Sequence, residues 1–171
     1  MKEDNGYAIG ETWLGTVIVG YEEGGIVAVL IAGNETDAVK ALERRLPHIV
    51  RAGECNDLSD VIGTLATYGR GTLRKSEAPI RAKGTDFQKA VWRAISDIPY
   101  GETATYGEIA GRIGRSGASR AVASACAANP LAVLVPCHRV VARSGRDTGY
   151  AWGLPLKRRL LELEGSCKQS G

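Results

Sequence analysis

The sequence is poor in the residues that build disulfide scaffolds, zinc sites and aromatic cores. Its 171 residues include four Cys, two His, one Phe and one Met. Cys55, Cys126, Cys137 and Cys167 form no CxxC pair. That spacing argues against a disulfide framework and against a structural zinc site, so no metal is expected and a reducing, cytoplasmic setting is. Long apolar runs are missing as well. The longest, 26–32 and 131–136, fall far short of the roughly 20 residues of a membrane span, so no membrane partner is expected. The polar opening Met1-Lys2-Glu3-Asp4-Asn5 carries no signal-peptide pattern. What is present is 44% hydrophobic and 24% charged, with 22 Gly and 6 Pro for turns. That composition can bury a core, in one large domain or two small ones.

A net charge of +3 conceals an asymmetry. Residues 1–85 hold 10 basic and 12 acidic side chains, whereas 86–171 hold 12 basic and 7 acidic. Within 112–159 nine basic residues stand against one acid, Asp147. A basic segment in a nearly neutral chain fits a polyanion-binding face, and it equally fits a solvated surface.

Residues 1–84 read as a small α/β domain. The stretches 12–20 and 26–32 are rich in β-branched residues, and Glu22-Glu23-Gly24-Gly25 between them predicts a hairpin. Residues 36–46 put Ala38, Val39, Leu42 and Leu46 on one helical face before Pro47, and a second helix is predicted over 57–67. A short strand is expected near Ile80. Nothing in this half stands out as a nucleophile, base or phosphate loop. Cys55 reads as a surface thiol and His48 as structural.

Residues 85–171 read as mainly helical. Thr85-Asp86-Phe87-Gln88 and Thr105-Tyr106-Gly107-Glu108 both have the form of a capping box. The helix begun at Thr105 is followed by the turn Gly114–Gly117 and by a strong helix former over 118–128, which Asn129-Pro130 ends. That pattern is a helix-turn-helix. Its second helix is thin, carrying Ser119, Ala121 and Ala123 around one long side chain, Arg120. It could lie against DNA with Arg120 inserted, or pack closely in a core.

The apolar run 131–136 leads into Pro136-Cys137-His138-Arg139. A thiolate is a strong nucleophile, and a neighbouring His or Arg favours it. Adjacent side chains rarely face each other, so a bridging water between thiol and imidazole is expected. A Cys beside a His is weak evidence alone, because buried inert Cys is commoner. Cys126 is expected to be one of those, and Cys167 to be exposed in a polar tail after Gly165.

The run Pro136-Cys137-His138-Arg139-Val140 resembles the active-site signature of the O6-alkylguanine-DNA alkyltransferases. Residues 119–130 (SRAVASACAANP) resemble the recognition helix of that family and the Asn-bearing turn behind it. The spacings among Tyr106, Arg120, Asn129, Cys137, Tyr150 and Glu164 also fit. RAVASACAAN and GYAWG are similar to bacterial members, among them the carboxy-terminal half of the Ada protein. Most of 85–165 is covered, and 1–84 only loosely.

The resemblance implies a ribonuclease-H-like α/β domain over 1–84 and a winged-helix-like, helix-turn-helix domain over 85–171. It implies direct-reversal DNA repair. An alkyl group, chiefly methyl, passes irreversibly from O6 of a flipped guanine, with O4 of thymine as a second candidate, to Cys137. By the same resemblance, His138 acts through water as the base, and Glu164 holds its imidazole. Asn129 fixes the turn before the active-site strand, and Tyr106 contacts and protonates the departing base. Arg120 fills the gap in the duplex, from a helix laid in the minor groove with Ser119, Ala121 and Ala123. Tyr150 packs beside the base, backbone carbonyls at Cys137 and Val140 read the guanine amino group, and Lys157 orders the adjoining loop. Ala151 stands where the mammalian form has Ser, leaving its backbone N–H for O6. Trp152 stands where that form has Gly and is expected to narrow the pocket. The implied partner is double-stranded DNA carrying alkylated guanine, bound by a monomer that turns over once without a cofactor.

Two other classes fit parts of the pattern. A non-catalytic DNA-binding module explains the charge and the helix-turn-helix but not the set Cys137, His138, Asn129 and Glu164. A Cys-His thiol hydrolase explains neither Arg120 nor the charge asymmetry.

Overall fold

A computed structural model describes residues 5–52, 55–70, 76–146 and 148–168, with side chains up to Gly165. The side chain of Cys167 and the whole of Asp147 lie outside the described residues. The chain divides into two compact units, Met1–Lys83 and Gly84–Gly171.

The first unit is built on an antiparallel sheet in the order β1 (Asn5–Thr12), β2 (Gly15–Glu22), β3 (Gly25–Ala32). The hairpin expected at Glu22–Gly25 is there. Its two central residues, Glu23 and Gly24, have φ of 49° and 84°, the paired positive values that match a tight turn to strand twist. β1 was not expected, because Gly6 and Gly10 dilute its β signal. Those glycines are needed for packing: a Cβ at Gly10 would lie 2.5 Å from Ile62, and one at Gly6 would lie 2.7 Å from Ala52. The segment 12–20 is likewise broken by a turn at Trp13-Leu14 before β2 begins. Helices α1 (Glu35–Glu43) and α2 (Asn56–Thr67) cover the sheet. Leu42 of α1 and Ile62 of α2 meet the sheet at Gly20 and Gly10. Gly10 pairs with Val17, three residues from Gly20, so the two helices lie on opposite faces. β2 is consequently buried from Thr16 through Gly20. Near Ile80 the chain forms a single parallel bridge to Ile26 rather than a strand.

The second unit is mostly helical. Both predicted capping boxes form, Thr85 with Gln88 at the start of α3 (Asp86–Ser96) and Thr105 with Glu108 at the start of α4 (Tyr106–Arg112). α5 (Ser119–Ala127) follows α4 after the turn in which Gly114 and Gly117 take φ of 69° and 88°. Val122 and Ala125 bury one side of α5, and Trp92 Nε1 of α3 donates to Ala125 O at 2.9 Å. Arg120, Ala121, Ser124 and Ala127 are exposed on the other side. A short parallel pair, β4 (Ala104–Thr105) with β5 (Val140–Val141), sets the start of α4 beside the Cys-His-Arg run. The chain ends in α6 (Leu154–Lys168), which runs through the expected polar tail. Lys157, Leu160 and Glu164 form its buried face. That face carries two charges, so apolar periodicity does not reveal the helix.

Candidate active site

The approach to Cys137 is a series of turns, not the strand expected. Leu134 N donates to Ala132 O at 2.7 Å around Val133, whose φ of 65° is strained for a β-branched residue. Cys137 N donates to Val135 O at 2.8 Å around Pro136, with φ −79° and ψ 62°, an inverse γ-turn. Cys137 then opens a single 3-10 turn, Cys137–Arg139. An extended run could not fold back in so few residues.

Asn129 holds these turns from inside. It is fully buried. Its Nδ2 donates to Val135 O at 3.0 Å and to Cys137 Sγ at 3.2 Å, while Oδ1 accepts from Leu131 N at 2.9 Å. One amide thus fixes the loop and gives the sulfur a donor. The hydrogen bond shared with Cys126 and then burial push the Cys137 thiol well above the ordinary cysteine range, and the Asn129 donor opposes them. Cys126 is lowered by the same hydrogen bond. The two thiols are thus pushed in opposite directions, Cys137 up and Cys126 down. Cys126 is half-buried, not the buried core thiol expected. α5 presents it to the same cavity as Cys137.

An imidazole stands next in the chain. His138 is fully buried, and its Nε2 lies 2.6 Å from Glu164 Oε1. Burial lowers the imidazole pKa, against the opposing pull of Glu164, so the ring is held neutral. With Glu164 as the acceptor, Nε2 carries the proton and Nδ1 is the basic nitrogen. Glu164 is anchored in turn by Arg139, whose Nε donates to Oε2 at 2.8 Å, and by Gly101 N at 3.1 Å. Arg139 NH1 also donates to Ile98 O at 2.7 Å. From the motif, Arg139 is expected only as a charge near the thiol. The structure pairs its guanidinium with the buried carboxylate that also holds the histidine.

Cys137 lies in the wall of a cavity of about 530 Å³. Tyr106, Ser119, Arg120, Ala123, Cys126, Tyr150 and Ala151 share that wall. Of the other expected residues, Ala121 lies on the exposed side of α5. Trp152 stands outside the cavity wall among the described residues. It packs edge-on against Tyr150, with ring centroids 5.3 Å apart. Any narrowing by Trp152 therefore acts through Tyr150. Val140 is buried, and its carbonyl accepts from Lys157 Nζ at 2.8 Å. Thr148, which nothing in the sequence singled out, also lines the cavity, with Oγ1 2.8 Å from Tyr106 Oη.

Comparison with known proteins follows the same lines. Residues 86–166 match the family model for the 6-O-methylguanine DNA methyltransferase DNA binding domain. The methylated-DNA–protein-cysteine methyltransferase of Methanosarcina acetivorans is 54% identical over 103 residues, 60% of this chain and 66% of that protein. The chain thus spans just under two thirds of that relative's length. The bifunctional transcriptional activator/DNA repair enzyme Ada of Escherichia coli is 39% identical over 92% of this chain and 45% of its own. The crystal structure of Mycobacterium tuberculosis OGT in complex with DNA superposes with a TM-score of 0.78 at 36% identity, covering 94% of this chain and 92% of that one. The chain therefore belongs to the methylated-DNA–protein-cysteine methyltransferase family.

Proposed function

We propose that this chain repairs alkylated DNA by taking the alkyl group, chiefly methyl, from O6 of guanine onto its own Cys137. The observation that carries the reading is the surrounding of one sulfur. Cys137 faces a cavity below the Arg120-bearing helix, accepts from Asn129, and is followed by the His138–Glu164 pair.

The cavity volume lies in the range of small-molecule sites and suits one extruded base rather than a duplex. Guanine O6 cannot be reached in line inside the stack, so the nucleotide must flip out at a cost of a few kcal/mol. Arg120 is exposed at the cavity rim on a helix side otherwise made of Ala and Ser, which can approach DNA closely and fill the vacated space. Tyr150 flanks the base, and the Ala151 backbone and the Cys137 and Val140 carbonyls read its edge. Nine basic residues against one acid over 112–159 supply sequence-independent phosphate attraction.

The chemistry is one displacement. The Cys137 S–H proton passes through water to His138, held by Glu164. The thiolate attacks the methyl carbon, the carbon–O6 bond breaks, and its electron pair leaves with guanine, which takes a proton from Tyr106. The thioether has no easy return to thiol, so each molecule acts once, as a monomer on duplex DNA and without a cofactor.

The two units are read as domains over 1–84 and 85–171, the first ribonuclease-H-like and the second winged-helix-like. The helix-turn-helix of α4 and α5 supports the latter. The test is digestion of a duplex carrying O6-methylguanine after incubation with the protein. Loss of one lesion per protein molecule is expected. Cys137→Ser should still bind the duplex and remove none. Binding without loss by the unaltered protein would favour a lesion-binding module instead.

A further inference from the structure

Tyr106 does not face the cavity alone. Thr148 Oγ1 lies 2.8 Å from its hydroxyl and 3.4 Å from Lys157 Nζ. Lys157 is buried at 3% exposure, and the same Nζ donates to Val140 O. An ammonium only donates, so Thr148 must accept in its contact with Lys157. Thr148 then has its own proton to give to the Tyr106 oxygen beside it. With the bonds running Lys157 to Thr148 to Tyr106, the phenol proton points away from Thr148. Tyr106, Thr148 and Cys137 share one cavity wall, so that proton is available to a group inside it.

We propose that Thr148 is a positioning residue for alkyl transfer, coupling Tyr106 to the buried Lys157 charge so that the phenol can protonate the departing guanine. This rests on the alkyltransferase reading above. As the S–C bond forms and the C–O6 bond breaks, the electron pair goes to guanine, and the Tyr106 O–H proton follows it. The phenolate left behind accepts from Thr148, which Lys157 polarises. It regains a proton through solvent from the imidazolium that took the Cys137 proton. Burial works against such a phenolate, and the Thr148 hydrogen bond works for it.

The test separates leaving groups. Guanine needs a proton to depart, whereas iodide does not. Single-turnover methyl transfer from an O6-methylguanine duplex and methylation of Cys137 by iodomethane are measured on the unaltered protein, Thr148→Val and Thr148→Ser. Thr148→Val should slow transfer from DNA by about tenfold or more, a modest share of what general acid catalysis supplies. It should leave the iodomethane rate unchanged. Thr148→Ser should restore transfer, and Thr148→Val should add nothing in a Tyr106→Phe background. Equal loss with both methyl donors, or no loss with DNA, would overturn the proposal. Failure of the unaltered protein to transfer methyl from DNA would instead overturn the alkyltransferase reading, and the proposal with it.

Discussion

His138 and Glu164, 26 residues apart, meet with Nε2 and Oε1 at 2.6 Å inside the second unit. The other oxygen of the same carboxylate holds Arg139 at 2.8 Å. One side chain therefore orients the imidazole and pairs with a buried cation. Glu164→Gln removes the charge from both partners, and breaking a buried pair in this way costs about 3–5 kcal/mol. Urea denaturation should show the midpoint falling by a corresponding amount. An unchanged midpoint would contradict the role given to Glu164.

Cys126 and Asn129 act on the Cys137 thiol in opposite senses. Cys126→Ala removes the largest influence that raises it, so the pH profile of Cys137 alkylation by iodoacetamide should move to lower pH. Asn129→Ala removes a donor to the sulfur, and the profile should move to higher pH. It also leaves the buried Leu131 N–H without its acceptor, at about 1–3 kcal/mol. Shifts in the same direction for both variants would refute this arrangement.

Burial holds His138 neutral in the folded protein, with a pKa below its unfolded value. The unfolded chain therefore takes up a proton as pH falls below about 6.5, and the folded chain does not. The contribution of this histidine to stability is complete above that pH and is lost as pH falls through the lower, folded value. Denaturation midpoints measured from neutral pH down to about 5 should decline more steeply for the unaltered protein than for His138→Gln. Parallel curves would show that His138 does not carry this dependence.

Arg120 is exposed, so its removal should change stability by no more than about 0.5 kcal/mol. Holding a flipped nucleotide is worth a few kcal/mol, and Arg120→Ala should slow transfer from duplex DNA by at least about tenfold. Methylation of Cys137 by iodomethane should be unaffected. Transfer from duplex DNA at the unaltered rate would remove Arg120 from the flipping step.

The sequence carried much of this site, because local chemistry signals itself. Two capping boxes, a Gly turn and the Asn129-Pro130 stop mark helix ends through backbone requirements that only a few residues meet. The Pro136–Val140 run and its spacing to Asn129 and Glu164 pointed to the residues that the fold brings together around Cys137. What the sequence hid depends on tertiary context. β1 is diluted by Gly6 and Gly10, whose purpose is visible only against Ala52 and Ile62. α6 buries Lys157 and Glu164, so its inner face does not read as apolar. The apolar residues before Cys137 read only as a buried stretch, and the strand came from the resemblance; Asn129 ties them into turns. Thr148 and Cys126 were missed because a lone hydroxyl in a Gly-bearing loop, or a lone thiol on an Ala-rich helix, gains meaning only from its neighbours.

In the proposed reaction Cys137 itself keeps the alkyl group. Peptide mass spectrometry after incubation with a duplex holding a single O6-methylguanine tests it directly. One added methyl is expected on the Cys137 peptide and none on the Cys126 peptide, with saturation at one per chain while the lesion disappears in equal amount. An unmodified Cys137 peptide in a protein that still binds the duplex would contradict it.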